Sequence, residues 1–117
     1  MKAALVITGS EILTGRRPDA LILPFAARLT ASGVAMREIR IIPDAPDGLT
    51  STILDLLEGT DLIVVTGGLG LTPDDTTRLA VEALKKRRTP EHEGIIPNPV
   101  GSAPGIDLRF PSRRIVF

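Results

Sequence analysis

Thr66-Gly67-Gly68-Leu69-Gly70 sets three glycines directly behind a β-branched run, Asp61 to Val65. Glycines leave backbone N–H groups uncovered, so an anion can approach closely and meet the positive end of a following helix. Phosphate is the natural tenant. Taken alone, such a loop is equally a tight turn that needs left-handed residues. The next residues narrow the reading: Thr72-Pro73-Asp74-Asp75-Thr76-Thr77-Arg78 gathers hydroxyls, two carboxylates and an arginine beside the loop, more polar chemistry than a turn requires. A second glycine-bounded loop, Gly9 to Gly15, ends the amino-terminal apolar run. Gly9, Ser10 and Glu11 therefore join Thr66, Gly67, Gly68, Gly70, Thr72, Pro73 and Asp74 as ligand-binding candidates. Arg16 and Arg17, beside that loop, suit either a phosphate contact or an exposed basic turn. His92, between Glu91 and Glu93, reads as solvated, and Lys85-Lys86-Arg87-Arg88 as a solvated helix end.

Loops of this kind need strands that end at one edge of a sheet. Lys2 to Thr8 is a mostly apolar run, the pattern of a buried strand. Leu21, Ile22, Phe25, Ala26 and Leu29 recur at helical spacing, with Ser32-Gly33 as the stop. Proline costs ~3 kcal/mol inside a helix but is tolerated in its first turn, so Pro24 puts the start near Ile22 or Leu23. Val34 to Ile42 predicts a strand that runs into the turn formers Pro43 to Gly48. Leu49, Ile53, Leu56 and Leu57 predict a helix through Glu58, ended by Gly59. After the strand Asp61 to Val65, a helix from Asp74 through Lys86 carries Leu79, Val81, Ala83 and Leu84, with acids at its start and bases at its end, as the helix dipole favours. Thr89 to Gly105 holds four prolines and three glycines and is expected to be mostly irregular. Ile106 to Phe110 and Arg113 to Phe117 predict a hairpin across Pro111-Ser112.

This alternation implies right-handed crossovers and a three-layer αβα sandwich: a mostly parallel sheet with helices on both faces and a carboxy-terminal β-hairpin. Leu5 to Thr8, Glu38 to Ile41 and Leu62 to Val65 are expected in the sheet interior. Ligands of such sheets sit beyond the carboxyl ends of the strands. Three loops occupy that edge: Thr8 to Gly15, Pro43 to Gly48, and Thr66 to Thr77.

The chain of 117 residues has room for one domain, 1–117. Lys plus Arg and Asp plus Glu are both 14, which gives no global attraction to nucleic acid or to an anionic membrane. Trp and Tyr are absent, so stacking platforms for single strands are lacking. The absence of cysteine removes disulfides and thiolate metal sites. The first apolar run is too short for a signal peptide or a membrane span, and a cytoplasmic location is the expectation.

Thr66-Gly67-Gly68-Leu69-Gly70-Leu71-Thr72-Pro73-Asp74-Asp75-Thr76-Thr77-Arg78 resembles the T-G-G-x-G-x-x-x-x-D stretch of the molybdopterin-binding family. Gly9-Ser10-Glu11-Ile12-Leu13-Thr14-Gly15 is similar to that family's G-D-E-L-L-x-G opening, with Ser10 where the acid usually stands. Pro97-Asn98-Pro99-Val100-Gly101-Ser102-Ala103-Pro104-Gly105 is similar to its late P-N-P-x-G-x-A-P-G segment. The amino-terminal domain of competence-damage-inducible proteins looks nearest. Relatives continue into an L-P-G-x-P loop, whereas this sequence stops at Phe117, so the domain is expected to be shortened at that end.

The resemblance implies a molybdopterin-like or nucleotide phosphate ligand and a place in molybdenum-cofactor biosynthesis. It also assigns Asp44 and Asp75, by motif position, to an adenylylation site. Two carboxylates at adjacent strand ends would hold a divalent ion, Mg2+ among the candidates, that bridges phosphate oxygens in nucleotidyl transfer. The competence-damage variant implies an alternative: divalent-metal-dependent pyrophosphatase action on a nucleotide diphosphate such as ADP-ribose. A third reading, motivated by Ser10 and the missing loop, is a non-catalytic ligand-binding or oligomerisation module. Relatives associate as dimers or trimers, so a homo-oligomer is expected.

Overall fold

The computed structural model describes residues 1–9, 22–67, 76–97 and 105–117. In chain order the elements are β1 (Lys2–Thr8), α1 (Ile22–Ala31), β2 (Ala35–Ile42), α2 (Pro46–Leu56), β3 (Leu62–Thr66), α3 (Thr76–Arg87), β4 (His92–Ile96), β5 (Gly105–Phe110) and β6 (Arg113–Val116). The six strands form one sheet in the order β2-β1-β3-β6-β5-β4. The pairings β2-β1, β1-β3 and β3-β6 are parallel, and the hairpin pairings β6-β5 and β5-β4 are antiparallel.

Strand order and handedness together set the layers. The crossover from β1 to β2 runs one way along the sheet, while β2 to β3 returns across β1 the other way. Crossovers of one hand but opposite direction put α1 and α2 on opposite faces. The path from β3 toward β6 keeps the second direction, so α3 joins α2, and those two helices pack against each other. The result is the expected αβα sandwich.

β1 is buried on both faces from Ala3 to Thr8, as its apolar run requires. Its Ala4 and Val6 join Ile63, Val65, Leu108, Ile115 and Phe117 in a core closed by Leu49, Ile53 and Leu56 of α2 and Ala80, Val81 and Leu84 of α3. Leu79, read as part of the apolar stripe of α3, lies exposed instead. α1 begins at Ile22 with Pro24 in its first turn, and Gly33 ends it with φ 82. Val34 N–H donates to Leu29 O at 2.9 Å and Gly33 N–H to Thr30 O at 3.0 Å, the paired bonds of a Schellman stop.

One expectation about the sheet needs correction. Glu38 to Ile41 do not lie in the sheet interior: β2 is an edge strand. Its Arg37, Glu38 and Arg40 could not be buried between two neighbours, and at the edge they find partners. Arg40 pairs with Glu38 and with Asp55 at 2.7 Å, and Arg37 donates to Thr60 Oγ1 at 3.2 Å. Within the stretch after α3 a short strand does form, since His92–Ile96 is β4 against β5, while residues 98–104 lie outside the described residues. That strand buries almost nothing, so no apolar alternation marks it, and the backbone ladder to β5 defines it.

Candidate functional site

β1 and β3 are neighbours whose outgoing chains leave for opposite faces, toward α1 and α3 respectively. Such a divergence opens a crevice beyond the carboxyl ends of the two strands. The residues at its floor are Thr8-Gly9 and Thr66-Gly67. Both apolar runs therefore end in the same dipeptide, Thr-Gly, and both threonines are drawn into the floor.

Backbone and hydroxyl groups hold this floor together. Thr8 Oγ1 donates to Thr66 O at 3.2 Å, and Gly9 N–H donates to Ile42 O at 3.0 Å, which ties in the end of β2. Thr77, fully buried in the first turn of α3, donates through Oγ1 to Gly67 O at 2.9 Å. Gly67 has φ 92, and a Cβ there would lie 2.5 Å from Thr8 O and 2.6 Å from Thr8 Oγ1. Only glycine fits, since the conformation is left-handed and the neighbour is a backbone atom. The start of the glycine loop is thus pressed onto β1 and clamped to the helix that follows it.

Gly9, Thr66 and Gly67 are brought together as expected. Asp44 is exposed in the bend between β2 and α2. β2 and β3 are not adjacent, contrary to the premise that placed the two acidic positions at neighbouring strand ends: β1 separates them, by roughly 9–10 Å at ordinary strand spacing. Ser10, Glu11, Gly68, Gly70, Thr72, Pro73, Asp74 and Asp75, with Arg16 and Arg17, lie outside the described residues. Among the described residues no three His, Cys, Asp or Glu side chains are grouped to hold a metal ion. Mg2+ is commonly held by one or two carboxylates plus substrate phosphates, and the exposed Asp44 carboxylate fits that kind of donor set.

The residues missed as site members are Thr8 and Thr77. Their signal was available in the two Thr-Gly strand ends and in the hydroxyl one step inside α3. His92 is exposed on β4, and the basic helix end is partly neutralised, with Lys85 2.9 Å from Glu93 and Arg88 3.9 Å from Glu58. The hydrogen bond to Glu93 raises the Lys85 pKa above its ordinary value.

The family described as probable molybdopterin binding domain matches residues 4–105, from β1 to the first residue of β5. The chain belongs to this family. A protein of Pyrobaculum arsenaticum is 36% identical over 135 residues, covering 89% of this chain and 51% of that protein. A CinA-like protein of Sulfurihydrogenibium sp. is 43% identical over 81 residues, 69% of this chain and 20% of its own length. The solved structure of the protein CinA from Thermoplasma acidophilum superposes with a TM-score of 0.85 at 26% identity, covering 98% of this chain and 85% of that one. The chain spans about half the length of the archaeal relative, so its domain is one part of such proteins. No helix among the described residues is long and apolar enough to cross a membrane.

Proposed function

We propose that this molybdopterin-binding domain holds a molybdopterin-like or nucleotide phosphate at the β1/β3 crevice, in a step of molybdenum-cofactor biosynthesis. The observation that carries the reading is Gly67. A left-handed glycine packed against Thr8 and clamped by Thr77 fixes the start of a glycine loop beside a helix start, the setting that favours an anion. In this reading Gly9, Ser10, Glu11, Gly68, Gly70, Thr72, Pro73 and Asp74 contact the same ligand, and of these only Gly9 lies among the described residues. Asp44 and Asp75 would hold a divalent ion such as Mg2+, which would neutralise charge on the bound phosphate. A homo-oligomer, dimer or trimer, is part of the same reading.

Asp75→Asn tests it, because the amide keeps the shape and removes the charge. Calorimetric binding of molybdopterin, its adenylylated form and adenine nucleotides with Mg2+ is compared with wild type, alongside turnover. If the site is catalytic, turnover falls at least ~100-fold, the loss expected when one transition-state electrostatic contact is removed. Unchanged binding and turnover in the variant would reduce Asp75 to a helix-start acid. No response of the wild type to any of these ligands would end the reading.

A further inference from the structure

A bowl of about 330 Å3 opens at the amino edge of the sheet, opposite the glycine loop, where β1, β3 and β6 begin. Asp61, Arg109, Phe110, Ser112, Arg113 and Arg114 line it. Arg109 and Arg114 are register partners on β5 and β6. Like charges directly opposite one another destabilise a sheet, so this pairing needs a counter-charge. Asp107 supplies one from beneath. The residue is only 5% exposed, and its carboxylate accepts from Arg114 Nε at 2.8 Å and Nη2 at 3.0 Å, and from Arg109 Nε at 3.1 Å. One carboxylate cannot balance two guanidinium groups, and Arg113, next to Arg114 on β6, brings a third to the same end of the hairpin from the other face of the sheet. Arg113 donates through Nε to Leu57 O at 3.0 Å and through Nη1 to Ser112 O at 3.3 Å, with Asp61 Oδ1 3.7 Å away.

All three guanidinium groups are therefore held by their Nε edges. Among the described residues, both terminal nitrogens of Arg109, Nη1 of Arg114 and Nη2 of Arg113 have no hydrogen-bond partner. A fixed fork with free N–H groups is the arrangement that recognises a tetrahedral oxyanion. Ser112 adds a second feature at the rim, a non-glycine residue at φ 59 that keeps a hydroxyl where glycine would relieve the backbone.

We propose that this bowl binds the phosphate group of a small phosphomonoester, with Arg109 and Arg114 gripping its oxygens and the hairpin end from Phe110 to Ser112 bordering the organic part. The site stands apart from the glycine-loop reading, since the two lie at opposite edges of the sheet. Residue-resolved NMR on the whole chain tests it, with AMP and orthophosphate as probes. AMP is expected to shift the Nε–Hε resonances of Arg109 and Arg114 and the amides from Phe110 to Arg114, saturably and more tightly than orthophosphate. Arg109→Gln, which leaves the Asp107–Arg114 pair in place, should weaken this response at least about tenfold, or about 1.4 kcal/mol. Asp44→Asn at the other edge should leave it unchanged. Shifts confined to Gly9, Thr66 and Gly67 would overturn the proposal. So would equal shifts with chloride at matched ionic strength, equal affinity for AMP and orthophosphate, or an unaffected Arg109→Gln variant.

Discussion

The two ends of the sheet are built from different interactions. At the carboxyl edge, Thr8, Thr66, Gly67 and Thr77 are joined by hydrogen bonds from threonine hydroxyls to backbone carbonyls. At the amino edge, Asp107, Arg109 and Arg114 form a charged cluster in which side chains do the holding, while Arg113 binds the backbone carbonyls of Leu57 and Ser112. A floor whose acceptors are backbone carbonyls tolerates little substitution at Gly67, because those acceptors are set by main-chain position. A side-chain lattice tolerates change at its exposed heads and depends on its buried carboxylate. The contrast predicts where the molecule breaks sharply and where it yields.

The largest effect belongs to Gly67→Ala. Its Cβ would have to displace Thr8 O and hold a positive φ, and the variant should lose about 2–4 kcal/mol in urea unfolding together with any response to phosphate ligands. A loss below about 1 kcal/mol would show that the floor rearranges freely. Asp107→Asn comes next, at about 1–3 kcal/mol, because two arginines lose a buried ionised acceptor. The hydrogen bonds from Arg114, foremost, hold the Asp107 carboxyl below its usual range against the opposing effect of burial. A lowered folded pKa contributes stability that is present above the unfolded value, about 3.9, and is lost as pH falls through the folded value. Acid titration below about pH 4 should therefore erode wild-type stability more than that of the variant, and parallel curves would remove Asp107 from the account.

Thr77→Val should cost about 1 kcal/mol through the lost bond to Gly67 O, and should weaken ligand binding by more than its stability loss accounts for. Equal losses in both would make the clamp a purely structural contact. Smallest is Asp55→Asn on the solvent side of α2. Its exposed pair with Arg40 should move the urea midpoint only slightly, and the shift should vanish at high salt.

Much of the architecture is legible in local pattern. The apolar run Ala3 to Ile7 suits a strand between two neighbours, and the spacing of Leu49, Ile53 and Leu56 suits a helix. Pro24 and Gly33 bound α1 through backbone chemistry that no distant contact alters. β4 is not legible, because His92–Ile96 owes its conformation to the ladder with β5 and buries almost no side chain. Nor is the edge position of β2, whose charges suit a loop or an edge strand equally until their partners are known. For the candidate site, the two Thr-Gly dipeptides are visible in the chain, while their meeting is not.

The residue types at the glycine loop, the stops of the helices and the alternation of strand and helix follow from the sequence itself, since they rest on conformational preferences of a few consecutive residues. Tertiary structure alone decided that β1 sits between β2 and β3, which opens the crevice at Gly9 and Gly67 and sets Asp44 on the far side of β1. It alone decided that Arg109 and Arg114 share one buried carboxylate. The physical reason is common to both: strand order and register are settled by which faces can be buried together, a property of the whole sheet that no short stretch of chain encodes.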